Sequence, residues 1–325
     1  MPFASNPELS TLASTVQLFP DLVSQLSSAS NVTILAPNND AFTELFAAGT
    51  VQPNDTSLIQ AVLSYHVLDG VYRSTDIYET PSFVPTLLTD ELYTNVTGGQ
   101  VVEALSVDGS VFFISGLREN STVTTADITF TSGVIHIIDS VLTLPRTLSA
   151  TAAAFNLTAV ADALTQVGLV EVADSVADIT VFAPTNEAFD AIAPTVAGLT
   201  TEQLTNILLY HVGTQVAYSP ILSTLSSLTT LAGADVTITV RDGELFVDDA
   251  RVVVADVLIY NGVVHVIDSL LNPDGSTATS TPTGTPSPTT GAPPVATFTG
   301  MAMPMKTGAV VQAALFGAGV AVMNL

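Results

Sequence analysis

Four histidines are the residues best suited to chemistry in this 325-residue chain: His66 in "SYHV", His136 in "VIHIID", His211 in "LYHV" and His265 in "VVHVID". Imidazole titrates near neutrality, and in "HIID" and "HVID" an acid three residues on suggests a general base held by a carboxylate. On a strand, residues three apart point to opposite faces. His136 then sides with Val134 and Ile138, and Asp139 with Ile135 and Ile137, so the dyad fails as long as the strand runs through the acid. Both faces are apolar, which predicts buried core histidines with hydrogen-bonded ring nitrogens. A metal centre needs three or four convergent ligands. The chain has two histidines per half and no cysteine, so zinc binding, thiolate catalysis and disulfides are not expected. Acidic pairs such as Asp248 and Asp249 lack EF-hand spacing. There is no G-x-S-x-G, no H-E-x-x-H and no phosphate-binding glycine loop. Acid pairs for glycoside hydrolysis are numerous, but chain spacing selects none of them. The expectation is no catalytic residue, no metal and no cofactor.

The histidines belong to blocks that occur twice in the same order. "TILAPNNDAF" matches "TVFAPTNEAF", "LSYHV" matches "LLYHV", and "SGVIHIIDSVLTLP" matches "NGVVHVIDSLLNP". The offsets between copies are 147, 145 and 129 residues, so the first copy carries extra material, expected near residues 73–100. This is a tandem duplication: one domain over 1–146 and a second over 147–273.

Each copy opens with a helical pattern. In "NPELSTLASTVQLF", Asn6 is the expected cap and Pro7 the first helical residue; "TAAAFNLTAVADALTQVG" reads as one helical run ending at Gly168. The repeated motif follows as a short apolar strand stopped by Pro37 or Pro184. Asn38 or Thr185 then caps a helix whose first turn holds Asn39 and Asp40, or Asn186 and Glu187, and Phe42 or Phe189 turns to the core. Another helix leads to each Tyr-His pair, with Leu204, Ile207, Leu208 and His211 on one face. Strands follow, with hairpin signals at Asp242-Gly243 and Asn261-Gly262. The expected class is α+β: helices first, then an antiparallel sheet.

Thirty acids against six bases give a formal charge of −24, spread over both halves. Such a surface repels phosphate backbones and anionic membranes, so no nucleic-acid partner is expected. From 274 to 300, 12 of 27 residues are Ser or Thr and five are Pro, a composition that predicts a stalk able to carry O-glycans. Extended, it reaches roughly 80 Å at about 3.1 Å per residue. Stalk and spacer are taken as 274–307, and residues 308–325 form an uncharged apolar tail. Small residues from Gly300 to Ala302, a short spacer and that tail match a glycosylphosphatidylinositol attachment signal, with a tail-anchored helix as the rival. Sequons at Asn31, Asn54, Asn95, Asn120 and Asn156 are candidates for N-glycosylation. The first residues lack the basic segment and apolar run of a secretory signal, so export supposes a leader outside this sequence.

The ordered set "VFAPTNEAF", "YHV" and "GVVHVIDSLLNP" resembles the fasciclin domain family, over residues 1 to about 273. The resemblance implies a β-sandwich-like antiparallel sheet core with helices packed around it in each of two tandem domains. It also implies an extracellular setting, lipid anchoring, and adhesion or matrix interaction without catalysis. The family's Tyr-His block falls on Tyr65, His66, Tyr210 and His211, which makes these a candidate interaction region. Pro37, Asn39, Phe42 and His136, with Pro184, Asn186, Phe189 and His265, form its structural signature. The expected partners are cell-surface or matrix proteins or glycans, with the membrane reached through the C-terminal lipid. The expected location is the outer face of the plasma membrane or the cell wall. A glycan-binding or glycan-acting surface protein and a vacuole-lumen protein are the alternatives.

Overall fold

A computed structural model describes residues 6–49, 55–196 and 198–273. Asn54, the stalk, the attachment region at Gly300 and Ala302 and the apolar tail lie outside the described residues. The first sheet contains β1 (Val32–Pro37), β2 (Val67–Asp69), β3 (Ser82–Pro85), β4 (Val101–Val107), β5 (Ser110–Ile114), β6 (Asn120–Phe130) and β7 (Gly133–Ile138). The second contains β8 (Ile179–Pro184), β9 (Val212–Gly213), β10 (Ser227–Thr229), β11 (Asp235–Arg241), β12 (Glu244–Val247), β13 (Ala250–Ile259) and β14 (Gly262–Ile267). Spatial order is β2-β1-β7-β6-β5-β4-β3 in one and β9-β8-β14-β13-β12-β11-β10 in the other, the same topology twice. The fold is α+β with two tandem domains.

Two features go beyond a plain antiparallel sheet. The motif strand runs parallel to the last strand, β1 with β7 and β8 with β14, because the rest of the domain forms the long crossover that parallel pairing requires. Each sheet also nearly closes on itself. Leu68 bridges Thr86, and Leu87 N–H donates to Val67 C=O at 2.8 Å. In the second copy Gly213 bridges Thr230, and Leu231 N–H donates to Val212 C=O at 2.7 Å. Closure leaves few unpaired edge groups.

The motif strands are buried along their whole length, which is why they read as continuous apolar runs rather than alternating ones. Ile34 and Ala36 pack with Ile135 and Ile137 under the N-terminal helices, against Leu9, Leu12, Val16 and Leu22. Leu35 and Ile138 point inside the curved sheet, toward Tyr65, Leu68, Val102 and Phe113. Val181 and Ala183 repeat the helix side, and Phe182 and Ile267 the sheet interior.

The helical run expected from Thr151 to Gly168 is two helices, Leu148–Ala154 and Thr158–Gln166. Asn156 takes φ 55° between them. Leu157 N–H donates to Ala152 C=O at 2.8 Å and Asn156 N–H to Ala153 C=O at 3.2 Å, a Schellman ending that Asn tolerates in the left-handed region. Asp242 and Gly243, at φ 53° and 83°, make the expected two-residue hairpin.

Candidate functional site

The repeated motif works at a junction. Pro37 pairs with Ile138 and Pro184 with Ile267 at the strand ends. Asn38 accepts from Ala41 N–H at 2.8 Å and Thr185 from Ala188 N–H at 3.2 Å, so both cap the helix that follows. The next residue does something the sequence does not reveal. Asn39 Oδ1 accepts from Thr11 N–H at 3.0 Å, and its Nδ2 donates to Pro7 C=O at 2.9 Å. Asn186 repeats this with Ala159 N–H at 3.0 Å and Asn156 C=O at 2.8 Å. One amide therefore clamps the first helices of the domain to the motif helix. Phe42 and Phe189 are buried beside it.

All four histidines are buried and bonded at both ring nitrogens. His66 Nδ1 donates to Val62 C=O at 2.7 Å, and its Nε2 accepts from Leu142 N–H at 2.9 Å. His211 repeats the pair with Ile207 C=O at 2.8 Å and Leu271 N–H at 2.9 Å. Since a carbonyl only accepts and an amide only donates, both rings are neutral with the proton on Nδ1. Burial pulls the pKa of each down to about 4, against the pull of the carbonyl hydrogen bond. His136 and His265 take the other tautomer: Nε2 donates to Tyr72 C=O at 2.8 Å or Ala217 C=O at 3.0 Å, and Nδ1 accepts from the Asp127 or Asp256 N–H at 3.3 Å. The strand ends at Ile138, and Asp139 turns to accept Thr122 N–H at 2.7 Å rather than to meet His136.

Near His136 and His265 lies a second duplicated set. The Asp127 carboxylate accepts from Ser74 N–H at 3.0 Å and from the Ser74 hydroxyl, and Asp256 accepts from Ser219 N–H at 2.7 Å and the Ser219 hydroxyl. Serine, acid and histidine thus come together, but both ring nitrogens face backbone, so neither imidazole is free to take a serine proton. Among the described residues, no His, Asp and Glu side chains gather as a metal site.

The Tyr-His pairs lie inside the fold. Tyr65 and His66 are buried, and the Tyr65 hydroxyl donates to Val101 C=O at 2.8 Å. Tyr210 is buried as well, donating to Asp235 C=O at 3.1 Å and to the Asp248 carboxylate at 3.0 Å. Burial pushes its phenol up to about 12, with Asp248 adding to the rise. His66 borders an apolar depression lined by Phe42, Phe46, Ile59, Val62 and Val141, where Phe46 is 45% exposed. Of the sequons, Asn31, Asn120 and Asn156 are exposed. Asn95 is half-buried, its Nδ2 donating to Ser175 C=O at 2.8 Å.

That last bond belongs to a seam between the two domains. Asn95 N–H donates to Tyr260 C=O at 2.7 Å, and Thr97 N–H and Oγ1 donate to the Asp178 carboxylate at 2.7 and 2.6 Å. The Tyr260 hydroxyl donates to Glu91 C=O at 2.6 Å, and Gln100 Nε2 to Ile259 C=O at 3.1 Å. Arg118 reaches Ala255 C=O at 2.6 Å and Asp256 C=O at 3.1 Å. Phe83 stacks on Tyr218 with centroids 3.9 Å apart, beside Val101, Leu258 and Val263. The joining segment is held too, since Tyr260 N–H donates to Arg146 C=O at 2.7 Å. A Cβ on Gly116 would lie 2.7 Å from Leu144 C=O, so only glycine lets this segment pass so closely.

Most of these contacts come from the extra material of the first copy. Residues 86–100 join β3 to β4, against 230–234 in the second copy, and residues 115–119 join β5 to β6, against 248–249. The lengthened loops carry Glu91, Asn95, Thr97, Gln100 and Arg118. The only sequence signal for them is the fall in offset between copies, and it names no purpose.

Two duplicated α+β modules with structural histidines, docked through loops of the first, define a tandem domain protein without an assembled catalytic constellation among the described residues. The fasciclin domain model matches residues 7–145 and 155–273, and the chain belongs to the fasciclin domain family. A fasciclin-like arabinogalactan protein of Arthroderma benhamiae is 39% identical over 287 residues, covering 87% of this chain and 68% of that protein. Fasciclin-like arabinogalactan protein elcF of Phaeosphaeria nodorum is 32% identical, covering 83% and 87%. A FAS1 domain pair from the insect cell adhesion molecule fasciclin I aligns over 83% of this chain and 99% of that chain, at 19% identity and a TM-score of 0.40. The relatives support a fasciclin-type surface protein.

Proposed function

We propose that this chain is a glycosylated cell-surface protein that mediates adhesion or interaction with matrix or cell wall, acting by binding and without catalysis. The observation that carries this reading is the duplicated fasciclin domain shared with fasciclin-like arabinogalactan proteins, and the commitment of all four histidines to backbone partners supports its non-catalytic part. We take the domains as 1–146 and 147–273, a division that the family matches at 7–145 and 155–273 support. Partners are surface or matrix proteins or glycans. Because the Tyr-His pairs are buried, they act by holding the chain around them, and the depression beside His66 offers a partner apolar surface with Phe46 at its rim. A lipid attached near Gly300 or Ala302 would hold the protein outside the cell on its Ser/Thr/Pro stalk. The sequence composition of residues 274–325 supports that arrangement.

The test is deletion of the protein in its source cells, with cell-cell and cell-surface attachment scored, alongside treatment with a phosphatidylinositol-specific phospholipase. Weaker attachment and release of the protein are expected. Unchanged attachment, together with turnover of a polysaccharide by the purified two-domain protein, would replace adhesion with glycan chemistry. Retention after phospholipase, with the apolar tail still present by mass spectrometry, would replace the lipid with a tail anchor.

A further inference from the structure

Glu103 is an acid whose burial depends on the neighbouring domain. It lies on β4 opposite Phe83, at the register position that Thr237 takes on β11 opposite Ser227. Thr237 is exposed, so this position faces outward in the fold itself. Glu103 is only 2% exposed because Arg118 and the second domain cover it. Arg118 Nη1 lies 3.3 Å from the Glu103 carboxylate and also donates to the carbonyls of Ala255 and Asp256 on β13. Leu117 and Arg118 hold φ 58° and 57° to make this reach, a left-handed pair that is strained in residues other than glycine.

The groups facing Glu103 are few. From its own domain there is Arg118. From β13 there is Asp256, whose carboxylate is engaged by Ser219. Behind Asp256 lie His265 on β14, kept neutral by burial, and the Tyr218 phenol, pushed up by burial. One guanidinium thus faces two carboxyl groups in a covered seam.

We propose that this seam is a proton-sensitive joint: a protonated Glu103 carboxyl docks the two domains tightly, and its ionisation loosens them. Burial pushes Glu103 from its ordinary 4.5 up to about 7, with Asp256 adding to the rise and Arg118 opposing it. A carboxyl whose pKa is higher docked than free favours docking most strongly below its free pKa, and that contribution is lost as pH rises through the docked value. From pH 5 to 8 the docking equilibrium then falls on the order of a hundredfold.

The experiment is amide hydrogen exchange on the full chain between pH 5 and 8, corrected for the intrinsic pH dependence of exchange. Asn95 and Tyr260 N–H report the seam, and Leu35 and Phe182 N–H, bonded to His66 and His211 carbonyls, report the two domain interiors. Seam protection should fall by up to the hundredfold above while interior protection does not follow it. Glu103→Gln, which cannot ionise, should keep the seam protected at pH 8. Seam protection in the native chain that does not fall with pH overturns the proposal by itself, whether or not the variant folds. So does a Glu103→Gln chain that folds and retains the native slope.

Discussion

Acid should destabilise each domain through a buried histidine, and His211 allows the effect to be isolated. Its folded pKa of about 4 lies below its ordinary 6.5, so the unfolded chain binds more protons across that window. Stability is full above 6.5 and is lost as pH falls toward 4. The fall from 6.5 to about 4 corresponds to about 3 kcal/mol, at about 1.4 kcal/mol for each tenfold change in proton affinity. His66 adds a similar loss in the first domain. Glu103 works in the opposite sense over part of the same range, so the raw curve of the native protein mixes the two. The comparison is therefore between the native chain and His211→Gln, by urea denaturation at steps from pH 7.5 to 4 with the second-domain transition followed. At pH 7 the variant should be less stable by about 1–3 kcal/mol, because one terminal amide cannot serve both Ile207 C=O and Leu271 N–H as the two ring nitrogens do. Below pH 6.5 its curve should be flatter, so that the gap between the two proteins narrows by up to about 3 kcal/mol. Parallel curves, with a constant gap from pH 7.5 to 4, would refute a neutral buried imidazole at this position.

Other expectations rest on single contacts. Asn186→Ala should destabilise the second domain by about 1–3 kcal/mol in chemical denaturation, since it leaves Ala159 N–H and Asn156 C=O without their partner; Asn39→Ala should do the same to the first. Gly262→Ala should fail to yield folded protein by circular dichroism, because its Cβ would lie 1.9 Å from the backbone oxygen of Ile179 in the parallel partner strand. If the protein enters the secretory pathway, mass spectrometry after deglycosylation should find Asn31, Asn120 and Asn156 occupied in preference to Asn95, whose side chain is held by Ser175.

Much of the fold is legible in the chain because it is local or duplicated. The caps at Asn38 and Thr185, the Asp242-Gly243 turn and the apolar strands follow from side-chain reach and backbone preference over a few residues. The break at Asn156 is not legible, because apolar spacing continues through it and only the left-handed Asn ends the first helix. The parallel pairing of β1 with β7 escapes as well, since it joins strands about a hundred residues apart and periodicity carries no partner information.

The sequence alone determined that one domain occurs twice, which family it belongs to, that the histidines sit in apolar strands and helix ends, and that cysteine chemistry is absent. These follow from repetition, composition and short-range periodicity, which the chain states directly. Tertiary structure decided that the Tyr-His pairs are buried, that Asn39 and Asn186 clamp helices, and that the first copy's extra residues dock the second domain. It also decided that Glu103 loses its water to a neighbour more than 130 residues away. Burial and charge at such a site are set by whatever packs across it, and no spacing along the chain encodes that.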